Sequence, residues 1–91
     1  MIKRQEGYIL RKIEGIYNLL PYGQKVADQR KGITMNDTGV FLWNVLKEPK
    51  EETELTRLAA EYYEITDAEE KEQMKADIHG FINQMQALGI L

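Results

Sequence analysis

The chain of 91 residues has no cysteine, no serine, one histidine, one tryptophan and two prolines. Without cysteine there can be no disulfide, zinc ribbon, iron–sulfur cluster or thiol nucleophile, which suits a reducing cytosol. The absence of serine removes the commonest hydroxyl nucleophile of hydrolases. The longest apolar run, Val40 to Trp43, falls far short of the roughly 20 residues of a membrane span, and Met1-Ile2-Lys3-Arg4 leads into no signal-peptide core. The expectation is therefore a cytoplasmic protein with no membrane partner.

Hydrophobic residues make up 43% and charged residues 30%, too apolar for a disordered chain. At this length one domain over residues 1–91 with a single core is expected. Net charge is −3 but unevenly spread. Residues 1–31 carry seven basic groups against three acidic, a balance of +4, while residues 51–75 carry nine acidic against three basic, a balance of −6. The acidic total argues against a general phosphate-backbone binder, and the basic first third suits an acidic peptide.

YILRKI and IYNLL flank Glu14-Gly15, so the spacing predicts a hairpin, with Pro21 ending its second strand. PYGQKVADQRK, residues 21–31, is polar and without period, and reads as a loop with room for a short strand around Val26. Gly32 to Met35 reads as a third strand. Asn36 or Asp37 then caps a helix running to about Lys47, where Phe41, Leu42, Trp43, Val45 and Leu46 cover more than half the circumference and require burial. A second helix is expected over Thr53 to Glu64. Thr66-Asp67-Ala68-Glu69 fits a capping box opening a third, whose apolar stripe is Met74, Ile78, Phe81, Ile82, Met85 and Leu88. Gly89 is placed for a left-handed cap, with Ile90-Leu91 folding back. The expected fold is α+β, a winged helix-turn-helix in which a three-stranded antiparallel sheet is followed by three helices.

The inventory for catalysis is thin. His79 has Lys75, Ala76, Ile82 and Asn83 at the positions three and four away, none a usual zinc ligand, so no metal site is expected. The glutamates of residues 51–72 read as solvated helix faces, and the glycines form neither a dinucleotide fingerprint nor a P-loop. This argues against an enzyme acting alone and for no cofactor. DNA binding conflicts with residues 51–65, where five glutamates and one arginine would face phosphates, so no nucleic-acid partner is expected. Two readings of the remaining apolar surface stay open: Gly32 to Met35 and the last helix form a peptide groove, or these residues are only core. A DNA-binding regulator and a generic protein–protein adaptor are the alternatives to peptide binding.

ITMNDTGVFLWNVL resembles the strand-Asn-acid-Thr/Ser-small-apolar-apolar-Trp signature of the PqqD-like family, and DIHGFINQMQALGIL resembles that family's closing pattern. The resemblance covers about Tyr8 to Leu91. It implies a RiPP recognition element, a winged-helix module that binds the leader of a ribosomally made precursor peptide. The module presents that peptide to a separate modifying enzyme, such as one of the radical S-adenosylmethionine type. Carried over by position, the resemblance implies that the leader adds beside Lys31, Gly32, Ile33, Thr34 and Met35. It also implies a helix wall drawn from Lys75, Ile78, His79, Ile82 and Met85. Ile33→Asp and Ile82→Asp are then expected to abolish precursor binding while leaving helical content largely intact. The loop over residues 21–31 is longer than the simplest members need, and Asn-Asp-Thr-Gly replaces the commoner Asn-Glu form, which keeps a cap and a carboxylate at the helix start.

Overall fold

Glu14 and Gly15 both have positive φ, 50° and 81°, the combination that lets a two-residue turn follow the right-handed twist of its strands. In the computed structural model, which describes residues 1–91, this turn joins β1 (Tyr8–Ile13) to β2 (Ile16–Pro21) in register, with Ile13 opposite Ile16 and Tyr8 opposite Pro21. The hairpin is the expected one. After it comes α1 (Gln24–Ala27), a single turn between residues expected to form a loop or short strand. One turn is too short to display a helical period, and its closure is local: the Gln24 side-chain amide donates to Asp28 at 3.0 Å.

β3 (Ile33–Met35) pairs antiparallel with β2, giving the order β1-β2-β3 and a sheet with two free edges. Alternation sends Tyr8, Leu10, Tyr17, Leu19, Ile33 and Met35 to the core face, and Ile9, Arg11, Asn18 and Thr34 to the outer face. β3 is one residue shorter than expected, because Gly32 lies beyond the last paired residue.

α2 (Asp37–Val45) is capped by Asn36, whose side-chain oxygen accepts the Gly39 N–H at 2.8 Å. It ends two residues before the expected Lys47. α3 spans Glu52–Tyr62 and α4 Ala68–Ala87. The cap of α4 is Asp67, which accepts from the Glu70 N–H at 3.1 Å, and not Thr66. Thr and Asp are both good caps in adjacent positions, so sequence pattern alone could not separate them by one residue. At the other end Gly89 takes φ 76°, and the Ile90 N–H donates to the Met85 carbonyl at 2.9 Å. That is the left-handed cap expected, and it tucks Ile90 into the core.

The core has two halves. Tyr8, Leu19, Met35, Trp43, Met85 and Ile90 gather under the sheet. Leu42, Leu46, Leu55, Ala59, Ile78 and Ile82 gather among the helices. α4 feeds both, and Phe81 and Leu91 pack against each half. The architecture is a three-stranded antiparallel sheet followed by helices, an α+β fold, with α1 inserted before the third strand. No helix is long and apolar enough to cross a membrane.

Candidate functional site

The hydrogen-bond parity of the sheet decides which backbone groups are free. The pair closing a two-residue turn, Ile13 and Ile16, exchanges both bonds, and bonded pairs recur every second residue. A bond from the Tyr22 N–H to the Gly7 carbonyl at 2.8 Å continues the same parity. Tyr17 and Leu19 therefore turn their backbone groups to β3, where they meet Met35 and Ile33. Within β3 the groups left over belong to Thr34, with those of Gly32 just before it, and they point away from the sheet. Their side chains follow the opposite rule: Ile33 and Met35 face the core, and Thr34 faces out, its hydroxyl donating to the Asn18 side chain at 3.4 Å.

Gly32 is pressed onto the neighbouring strand. A Cβ there would lie 2.7 Å from Leu20 Cδ2 and 3.1 Å from the Leu19 carbonyl oxygen. Lys31, Gly32 and Thr34 are exposed, Ile33 is half-buried and Met35 is buried. All five are brought together along one edge.

The α4 residues divide differently. Ile78, Ile82 and Met85 are 0%, 2% and 4% exposed and form core. His79 points at α3, its Nδ1 3.0 Å from a carboxylate oxygen of Glu52. Phe81 links α4 to the end of β3: a Cβ on Gly39 would touch both Met35 Cε and Phe81 Cε2 at 3.3 Å, so both side chains pack over the first turn of α2. At about 100° per residue, Asp77, Gln84 and Leu88 lie within about 60° of Phe81, whereas Lys75 and His79 lie about 120° and 160° away. Leu88 is 41% exposed. Phe81 is half-buried against the sheet half of the core, and Asp77, Gln84 and Leu88, on the same side of α4, are exposed. Phe81 and Leu88 were visible in the sequence as stripe members. Which rim of that stripe faces the sheet depends on where α3 packs, and no local pattern carries that.

At the start of β3, Arg30 comes within 3.9 Å of the Cβ position of Gly89. Its guanidinium thus sits by the C-terminus of α4, where free carbonyls favour a cation. No group of three or more His, Asp or Glu side chains lies close enough to hold a metal ion.

A family model described as Coenzyme PQQ synthesis protein D (PqqD) matches residues 14–91. The chain belongs to the PqqD family. The match begins at the β1–β2 turn and takes in β2, β3 and every helix, leaving β1 outside. The β3 edge, its Asn36 cap and the whole of α4 therefore lie inside the part shared with the PqqD family, which is named for coenzyme PQQ synthesis. No curated protein and no solved structure matches the chain significantly.

Proposed function

We propose that this protein is a non-catalytic, cytoplasmic leader-peptide-binding module. It takes the leader of a ribosomally made precursor as an added strand on β3 and presents the precursor to a separate modifying enzyme. Membership of the PqqD family supports the setting. The observation that carries the reading is the outward parity of Gly32 and Thr34 on the free edge of β3, and the α4 rim of Phe81 and Leu88 is the wall we assign to it.

An added strand bonds to the free N–H and C=O groups of these two residues. Each bond contributes roughly 0.5–1.5 kcal/mol net, so side-chain burial must add to them. Leader residues opposite Ile33 and Met35 point to the same face as those side chains, towards Phe81 and Leu88, and are expected to be apolar. Those pointing outward are free to vary. Ile78, Ile82 and Met85 act as the packed support beneath the wall, while Lys75 and His79 stand on the α3 side. Holding the leader raises the effective concentration of the attached core peptide at the enzyme, with no chemistry on this chain.

The test uses a fluorescent leader peptide from a precursor encoded beside this protein. Thr34→Pro removes an outward N–H yet leaves the ladder between β2 and β3 intact, since Ile33 and Met35 carry it. It is expected to weaken binding at least about tenfold, or about 1.4 kcal/mol. Leu88→Glu should act in the same direction, and His79→Ala should leave affinity unchanged. Full affinity in Thr34→Pro with a native circular dichroism spectrum would sink the strand-addition reading. Sequence-preferring DNA binding in a low-salt gel shift would favour a regulator instead.

A further inference from the structure

A concavity of about 1150 Å³ opens at the other edge of the sheet, lined by the N-terminal segment, the start of β1, the segment from Tyr22 to Lys25 and the end of α2. No residue of β3 or α4 contributes to it. Four cationic side chains line it, Lys3, Arg4, Lys25 and Lys47, against one carboxylate, Glu6. The ion pairs of the molecule involve Met1, Lys50 and Arg57, and none of these four.

Two of the four are held in place. The Arg4 guanidinium lies 4.7 Å from the Trp43 ring centroid and donates to the Trp43 carbonyl at 3.4 Å. Lys25 Nζ lies 5.9 Å from the Tyr8 ring centroid, and its stem crosses Gly7, where any Cβ would collide with Lys25 Cγ. Holding these cations on aromatic faces lowers the side-chain entropy lost when a ligand binds.

The backbone adds a second feature. Ile9, Arg11 and Ile13 spend their groups on β2, so Tyr8 and Leu10 turn theirs to the open edge, and both residues line the concavity. We infer that this concavity is a docking site for an extended, acidic peptide segment of a partner protein. The segment pairs its carboxylates with the four cations and its backbone with the free edge of β1. Charge sets the class of ligand. Outside the concavity eight basic groups face fourteen acidic ones, counted from totals of twelve and fifteen. A nucleic acid long enough to leave the concavity meets that repulsion, and a short acidic segment does not. The site stands whether or not β3 takes a leader.

The experiment measures fluorescence anisotropy of a labelled peptide alternating glutamate and threonine, with the full chain, at about 50 mM and about 500 mM salt. A glutamine analogue serves as control. Salt-sensitive binding of the glutamate peptide only is expected, weakened at least about tenfold by Lys25→Glu with Lys47→Glu. Lys75→Glu and Thr34→Pro should bind the peptide as the unaltered protein does, which separates this site from the β3 reading. Because Lys25 packs on Tyr8, the pair Lys3→Glu with Lys47→Glu repeats the test where the first pair loses its thermal transition. The site is overturned by no salt-sensitive binding, by undiminished binding in a folded charge-reversed protein, or by tighter binding of a short single-stranded oligonucleotide.

Discussion

Asn36 sits at the joint where the edge strand becomes a helix, and a single contact makes the joint stable. Its side chain satisfies the Gly39 N–H, and Gly39 is tightly surrounded, with Asn36 Oδ1, Met35 Cε and Phe81 Cε2 all 3.2–3.3 Å from where a Cβ would stand. Asn36→Ala is expected to cost about 1 kcal/mol, seen as a fall in melting temperature of roughly 4–8 °C. A gain is available at the hairpin turn. Glu14 holds φ 50°, a conformation that asparagine tolerates better than glutamate. Glu14→Asn should raise stability by about 0.5 kcal/mol, measured as a higher urea midpoint with an unchanged slope.

At the scale of elements, α4 joins the two halves of the core. Met85 serves the sheet side, Ile78 and Ile82 serve the helical side, and Phe81 packs on both. Ile82→Asp, attractive from the sequence as a binding probe, is therefore a stability probe. A carboxylate at a position 2% exposed is expected to cost about 3 kcal/mol or more and to abolish a cooperative thermal transition. Retention of native helical content in that variant would show that α4 is seated differently. β3 is the opposite kind of element, three residues long, held by β2 on one side and free on the other. So short an edge resists uncontrolled pairing, and recognition there needs help from the neighbouring helix.

Across the whole molecule the sheet offers two free edges that differ in chemistry. The β3 edge runs into the Asn36 cap, where Met35 and Phe81 both approach Gly39, while the β1 edge lies beside cations that take part in no ion pair. Distant sites without shared partners behave additively. Saturating leader is therefore expected to leave the affinity for the glutamate peptide within about twofold, measured by anisotropy with the leader in excess. Strong competition between the two would mean one shared site.

Much of this was legible in the sequence because it is local. The Glu14-Gly15 hairpin, the Asn36 cap, the apolar majority of α2 and the Gly89 cap each depend on residues within one turn of chain. The signature around Asn36 also pointed to the family. The one-turn helix α1 stayed hidden, since four residues carry no period. The rim of α4 that faces β3 is fixed by how α3 packs on the opposite side, seen in the His79–Glu52 contact. The basic concavity joins residues 3–10, 22–25 and 43–49, too far apart in sequence to read as one group. The sequence by itself determined the three strands, the three longer helices and which stripes must be buried, because those follow from local sterics and periodicity. Only the tertiary structure decided which rim of each stripe remains outside and which distant charges share a wall, because both depend on long-range packing.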